Sequence, residues 1–319
     1  MSGPGTTSGP DPAPTPALRV RGRAVDVSRP LVMAIVNATP DSFSDGSLDP
    51  SPQARVDRAL AALDAGADLV DVGGQSSITG VAEISVAEEL DRVLPVLEGI
   101  VATRPDALIS VDTYRAEVVR RVLDAGVAIV NDVSCLRDPD VARACADADA
   151  GLVVMHTKAA PKQRYQDPDA YDDVTAEVTA TLRDRLALAQ ELGVGDTSTI
   201  VDPGVDYAKT PAQSIALLRD LDPVLALGRP VLWALSRKDF VGALTRRAPS
   251  RRDAGSLAAV SHVGWRPGAI FRVHDVTATR DHLAVAGALA GAVPVARDLV
   301  VPDEIRWEDG KAGQATAST

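Results

Sequence analysis

Arg272 and His274 alternate along a short β-branched run, Ala269–His274 (AIFRVH), so both project to the same side of a strand. A guanidinium fork and an imidazole at that spacing suit the oxygens of a diphosphate; the alternative for Arg272 is an internal ion pair with Asp275 or Asp112. Asp112, Asn131 and Asp202 each close an apolar run of their own. Two carboxylates and an amide offer acceptors and donors in fixed planes, which match a flat heterocycle presenting an amidine-like edge. Lys238 follows Ser236 and Arg237 directly after PVLWAL. It reads as a point-charge donor to that ring's carbonyl or imine acceptors, or otherwise as a solvated lysine that begins a helix. Asn37 ends LVMAIVN and leads into the acidic, hydroxyl-rich stretch Thr39 to Ser47 (TPDSFSDGS). Such oxygen donors could help place a hard cation beside a diphosphate, because Mg²⁺ keeps waters and takes few protein ligands.

The remaining polar groups point elsewhere. His156 ends a run and is expected at the same mouth, whereas His262 and His282 sit in helical segments as structural or solvated residues. There is no Cys/His cluster, HExxH, GxSxG or P-loop, which disfavours zinc hydrolysis, serine hydrolysis and nucleoside triphosphate cleavage, and Gly73–Gly74 is not a dinucleotide fingerprint. Cys135 and Cys145 lack metal-ligand spacing and read as reduced thiols of a cytoplasmic protein. A net charge of −11 argues against nucleic acid or an anionic membrane as partner, and the absence of a run of about 18 apolar residues argues against a spanning helix.

What could bring these side chains together is a barrel. Short β-branched runs alternate with longer Ala/Leu/Arg/Glu segments of helical period, the pattern of repeated βα units around a parallel sheet. Eight strands are expected: Leu31–Asn37, Asp68–Val72, Ala107–Asp112, Val127–Asp132, Gly151–His156, Thr199–Asp202, Pro230–Leu235 and Ala269–His274. Helical patterns follow, clearest over Val56–Ala65, Leu90–Ile100 and Ala116–Ala125, and the recurring DAGA, DAGV and ELGV place a glycine just past a helix. Aromatics are only 3% of the chain, so the core must be built from Ala, Val, Leu and Ile, as layered barrels are. The expected fold class is α/β, a single (β/α)8 TIM barrel over 17–300, with a disordered leader at 1–16 and a polar tail at 301–319. Barrel sites form at the C-terminal strand ends, and that is where Asn37, Asp71, Asp112, Asn131, Asp202, Lys238, Arg272 and His274 fall. Three long connections, Ala38–Gln53, Gly73–Ser85 and Thr157–Asp169, are candidate lids.

In order along the chain, MAIVNATPDSFSDG, VDVGG, SVDT, VND, VVMH, VDPG with a downstream Lys209, LSRKDF and FRVHDV resemble the motifs of dihydropteroate synthase, across about residue 31 to 290. The resemblance implies condensation of a pterin pyrophosphate with p-aminobenzoate in folate biosynthesis, Mg²⁺ as cofactor and a homodimer. It implies Asn37 near the metal and Asp112, Asn131, Asp202 and Lys238 around the pterin. Ser77 joins the substrate contacts, and Arg272 with His274 take the diphosphate; Asp112, Lys238, Arg272 and His274 are the implied catalytic set. The family's reaction lets diphosphate depart with SN1 character before the aromatic amine attacks. Two departures stand out. The family's Glu-Ser-Thr-Arg-Pro-Gly loop is replaced by Gln75-Ser76-Ser77-Ile78-Thr79-Gly80, and Asp206-Tyr207-Ala208 stands where Gly and Phe are usual. A synthase-like paralogue without turnover, similar to divergent second copies in actinobacteria, and a methyl-folate-binding methyltransferase barrel are the alternatives. The retained Arg272, His274 and Lys238 disfavour the last.

Overall fold

The computed structural model describes residues 16–38, 51–75 and 82–306, so most of the leader, Thr39 to Ser47, Ser77 with its neighbours and the end of the tail lie outside the described residues. Eight parallel strands close into a barrel in the order β10-β3-β4-β5-β6-β7-β8-β9. They are β3 (Leu31–Asn37), β4 (Leu69–Gly73), β5 (Leu108–Asp112), β6 (Ile129–Asp132), β7 (Gly151–Met155), β8 (Thr199–Asp202), β9 (Val231–Trp233) and β10 (Ala269–Val273). Each expected strand is present, with ends displaced by no more than a few residues.

Around them lie α1 (Pro52–Asp64), α2 (Val86–Thr103), α3 (Ala116–Asp124), α4 (Pro139–Asp147), α5 (Val174–Glu191), α6 (Pro211–Arg219), α7 (Asp222–Leu225), α8 (Asp239–Thr245), α9 (Asp253–Val263) and α10 (Val276–Leu289). Local chemistry sets their ends. Ser51, Ser85 and Asp173 accept from the first-turn amides of α1, α2 and α5, and Thr210 with Gln213 forms a reciprocal capping box on α6. Gly66, Gly126 and Gly193, the glycines of the three repeated endings, all have φ near +100°, which turns the chain from helix toward the next strand.

Residue period two divides the strands between two cores. Val32, Val70, Val111, Val130, Val154, Val201 and Phe271 face outward and pack with the helices. Leu31, Met33, Leu69, Leu108, Ile129, Val153, Ile200, Leu232 and Ile270 face inward and fill the barrel. One further inward step converts this interior from apolar to polar: Leu69 gives way to Asp71, Leu108 to Ser110, Ile129 to Asn131, Ile200 to Asp202 and Ile270 to Arg272.

The N-terminal end of the barrel carries an element not expected from the sequence reading. β1 (Leu18–Val20) and β2 (Arg23–Val25) pair antiparallel, joined through Arg21 (φ 49°) and Gly22 (φ 74°), the two left-handed residues that a tight two-residue hairpin turn requires. Leu18 and Val20 join the inner core. Val20 Cγ1 would lie 2.7 Å from a Cβ built on Gly151, so the hairpin seats where that strand begins without a side chain. The Gly22 amide donates to Asp149 (2.7 Å) and Ser198 Oγ donates to the Arg19 carbonyl (2.8 Å), tying the hairpin down.

Cys135 and Cys145 are free and buried, and burial beside Asp132 pushes the Cys145 thiol up to about 12. Among the described residues no helix is long and apolar enough to cross a membrane.

Candidate active site

Asp71 is fully buried at the first polar step of the interior, and a single oxygen of its carboxylate organises two partners. Its Oδ2 accepts from Arg272 Nε at 2.6 Å and from Asn131 Nδ2 at 3.1 Å. Arg272 Nη2 donates in turn to Asp112 Oδ2 at 3.1 Å. Four strands, β4, β5, β6 and β10, therefore converge on one hydrogen-bonded cluster. Burial alone would lower the affinity of Arg272 for its proton, but Asp71 and Asp112 more than offset this and keep the guanidinium charged. Burial pushes the Asp112 carboxyl up to about 7, Arg272 opposing, and the like charges of Asp71, Glu89 and Asp132 push the same way as burial. Asp71 Oδ1, Ser110 Oγ and Asn131 Oδ1 are buried without a hydrogen-bond partner among the described residues. Such acceptors cost stability in a closed core and suit a site that receives donors from a ligand or water.

Asp202 closes β8 and is also buried, its Oδ1 accepting from the Gly204 amide at 2.7 Å. Burial raises its pKa, while the Gly204 bond, Lys238, Lys209 and Arg272 draw it back. The turn that follows is tight. Gly204 has φ 67°, and a Cβ there would lie 1.9 Å from the His156 carbonyl oxygen, so only glycine fits. Lys209 folds back beneath this turn and meets three acceptors, His156 Nδ1 (2.9 Å), the Gly204 carbonyl (2.9 Å) and the Tyr207 carbonyl (3.1 Å). Burial pulls its ammonium down to about 7 against the attraction of Asp202 and Asp206. His156, expected at the mouth, is instead a buried partner of this lysine. Burial and the Lys209 charge hold it neutral, with a pKa pulled down to about 2, so Nδ1 accepts and the proton resides on Nε2.

Lys238 reaches the mouth from the N-terminal end of α8, with its Nζ 4.5 Å from the centre of the Tyr207 ring. Beside it, His274 Nδ1 lies 2.9 Å from Ser236 Oγ, which also accepts from the His274 amide at 3.2 Å. The helix reading of Lys238 is thus correct as to place, and its ammonium nonetheless lines the cavity. For Arg272 the ion pair with Asp112 is present, but Asp275 is not a partner: it caps α10 by accepting from the Ala278 amide at 2.9 Å.

Above this floor opens a cavity of about 590 Å³ lined by Asp112, Lys238, Tyr207 and Tyr114 and walled by Lys162 and Arg252. Asn37, Asn131, Asp202, Arg272 and His274 are not among its lining residues; Asn131 and Asp202 are buried, and Arg272 is half-buried beside Asp112, which does line it. The volume suits a small molecule of two linked rings. At the rim, Gln75 Nε2 donates to the Tyr114 hydroxyl (2.8 Å), which donates to Glu83 (2.8 Å), and Gln75 Oε1 accepts from the Ile84 amide (3.0 Å). Arg115 bridges Glu83 and the buried Glu89, both at 3.2 Å. Asn37 ends β3 in register with Gly73, which is in register with Asp112, so it stands at the strand level of the carboxylate that the Arg272 guanidinium reaches. Its lone amide oxygen fits a hard cation that takes its other ligands from a diphosphate and water; among the described residues no group of three His, Cys, Asp or Glu could hold a metal alone.

All the sequence-selected residues that are described, Asn37, Asp112, Asn131, Asp202, Lys238, Arg272 and His274, lie at the C-terminal strand ends or on the segments directly following them. Ser77 lies outside the described residues. Sequence reasoning placed Asp71 at a strand end but missed its part in joining Arg272 to Asn131, and missed Tyr207 beneath Lys238. The alternation VDVG held the signal for Asp71, since a lone carboxylate facing into a barrel must find a cation.

A model of the pterin binding enzyme family matches residues 33–274. The chain is 38% identical to a dihydropteroate synthase of Escherichia coli (strain K12) over 275 residues, 86% of this chain and 97% of that protein. Similarity to the Streptococcus pyogenes serotype M1 dihydropteroate synthase is also 38%, over 84% of this chain and 98% of the other. The Xanthomonas albilineans dihydropteroate synthase solved with 4-aminobenzoic acid superposes with a TM-score of 0.79 at 42% identity, covering 88% of this chain and 100% of that one. The same enzyme in complex with 7,8-dihydropteroate gives 0.76 at 41%, again over 88% and 100%. With its motifs in order, its barrel closed and its polar floor assembled, the chain belongs to the pterin-binding enzymes and, among them, to the dihydropteroate synthase family.

Proposed function

We propose that this chain joins 6-hydroxymethyl-7,8-dihydropterin pyrophosphate to p-aminobenzoate, releasing diphosphate and 7,8-dihydropteroate. The observation that carries this reading is the buried cluster in which Asp71 ties Arg272 and Asn131 together while Asp112 shares the same guanidinium. It sets an anion-binding fork beside fixed acceptors and donors for a flat heterocycle, which is the pairing a pterin diphosphate demands.

In this reading Asp112, Asn131 and Asp202 meet the pterin edge, and Lys238 donates to its ring acceptors. Arg272 and His274 hold the diphosphate as the methylene–oxygen bond breaks, and the aromatic amine closes the new carbon–nitrogen bond. The main obstacle is charge separation. A guanidinium whose orientation is already fixed by Asp71 needs little reorganisation when charge develops on the leaving group. Asn37 would hold Mg²⁺, which supplies further neutralisation of the diphosphate. Ser77, which lies outside the described residues, is assigned to the substrate contacts on its place in the family's motif. The barrel of 17–300 is the pterin-binding unit, acting in the cytoplasm as a homodimer, a setting with which its two unpaired thiols agree.

Purified protein supplied with both substrates and Mg²⁺ should form dihydropteroate with diphosphate at about 1 s⁻¹ or more, a rate ordinary for enzymes. Tight pterin binding without product would instead establish the second reading, a synthase-like paralogue. The rim favours keeping that reading in view: Gln75 is committed to Tyr114 and Ile84 in a loop that lacks the family's arginine and proline.

A further inference from the structure

We propose that Asp206 and Tyr207 clamp Lys238, and that Asp206 is a positioning residue of the site although it belongs to another loop. The consequence for binding rests on Lys238 being a pterin contact, as read above; the clamp itself does not.

Asp206 has φ 66°, in the left-handed region that glycine occupies freely and a side chain enters at a cost. Three contacts of its carboxylate hold it there. Oδ1 accepts from Ser214 Oγ at 2.9 Å, and the Asp206 amide donates to the same hydroxyl at 3.1 Å. Ser214 is fully buried on α6, so the aspartate is anchored to the barrel's helical coat. Oδ2 accepts from the amides of Asp239 (2.5 Å) and Phe240 (3.2 Å), the first two residues of α8. Lys238 occupies the cap position of that helix and makes no side-chain cap of its own. Asp206 supplies the missing acceptor from outside, and the lysine side chain is left to face the cavity.

The two peptides that flank Lys238 are fixed from Arg252 as well. Arg252 Nη1 donates to the carbonyls of Arg237 (2.9 Å) and Lys238 (3.1 Å). At the far end of the side chain, Nζ rests 4.5 Å from the ring centre of Tyr207, the residue next to Asp206. One short loop thus grips Lys238 twice, its backbone through Asp206 and its ammonium through the tyrosine ring. A lysine has a flexible four-carbon stem, and holding both ends removes freedom that a ligand would otherwise have to remove on binding.

The test is the Lys238 ε-methylene NMR signal of the whole protein, assigned by its loss in Lys238→Arg, together with calorimetry using pterin. Tyr207 should shift that signal upfield by its ring current. The shift should vanish in Tyr207→Leu, collapse by half or more in Asp206→Gly, and persist in Asp206→Asn, whose amide oxygen still accepts. Ser214→Ala, which loosens Asp206 from α6 while keeping its carboxylate, should give an intermediate shift and serves if Asp206→Gly does not fold. Asp206→Gly should weaken pterin binding about five- to tenfold in the wild-type background and leave it unchanged in Lys238→Ala, the behaviour of coupled residues. An unmoved Lys238 signal in Asp206→Gly and Ser214→Ala would overturn the clamp, as would losses that multiply independently. Absence of pterin binding by the wild type would overturn the functional reading and leave the NMR result to decide the clamp.

Discussion

The floor of the mouth and its rim are built differently. The floor consists of strand residues, Asp71, Asp112, Asn131, Asp202 and Arg272, whose directions are fixed by the period-two pleat and the closed hydrogen-bond ladder. The rim consists of loop residues, among them Gln75, Glu83, Tyr114 and Arg115, which hold one another through side chains from two separate connections. Five of the shared motifs, VDVGG, SVDT, VND, VDPG and FRVHDV, supply the floor, whereas one departure begins at Gln75 in the rim and the other falls in the loop after β8. The difference teaches that in a barrel the recognition chemistry can be retained by topology while the loops that complete the pocket change.

The largest effect that would break this contrast is on the floor. Arg272→Ala should lower kcat/KM by about 10²–10⁴-fold, roughly 3–5 kcal/mol, because it removes the anion fork and leaves the buried Asp71 and the half-buried Asp112 without their cation. Calorimetry with pterin bearing and lacking the diphosphate should show the greater loss for the former; equal losses would make Arg272 a structural residue. Next, Asp202→Asn should weaken pterin binding by about 1.5–3 kcal/mol, the range for a charge-assisted hydrogen bond whose removal leaves donors unpaired. Unchanged affinity would remove Asp202 from the pocket.

Effects at the rim should be smaller. The single change Gln75→Glu should cost about 1 kcal/mol in urea unfolding, because the Tyr114 hydroxyl already donates to Glu83 and cannot donate to a second carboxylate. Adding Ile78→Arg and Thr79→Pro should raise synthase turnover several-fold over wild type by restoring charge and rigidity to the lid. A lack of gain with intact pterin affinity would favour the paralogue without turnover. A separate effect is a slope with pH. The Asp112 pKa rises from 3.8 to about 7 on folding, so between those values the folded state holds the proton and the unfolded chain does not. Stability should therefore fall as pH rises through that interval, and Asp112→Asn should flatten the fall; an unchanged slope would assign it to other groups.

Much of the floor was legible because two periodicities were superposed in the residues. Runs such as LISVD and TIVD announce a strand, and the residue that ends each one announces the mouth. Of the contacts made across the barrel, the Arg272–Asp112 pair was anticipated as one alternative, but the tie from Asp71 to Arg272 and Asn131 was not. VDVG shows that Asp71 faces inward, yet only barrel closure brings β10 next to β3, two strands more than two hundred residues apart, and so delivers Arg272 to it. His156 misled for the same reason: it ends a strand like the others, but Lys209, fifty-three residues away, returns beneath it and takes it out of the site. The hairpin at Leu18–Val25 did carry a signal in LRVRGRAV, where alternation breaks at a glycine, although three-residue strands are too short for periodicity to identify.

That hairpin has a consequence for traffic. With Leu18 and Val20 pressed against the inner apolar layer, and Gly151 yielding room for them, one end of the barrel is stoppered. Among the described residues the other end is then the doorway, and whatever lies deepest must enter first and depart last. The heterocycle, if seated over Asn131 and Asp202 as proposed, would precede the aromatic amine on every turnover, and an amine analogue would find its place only once the heterocycle is seated. Steady-state patterns should accordingly be those of compulsory order, with the amine analogue uncompetitive against the pterin substrate.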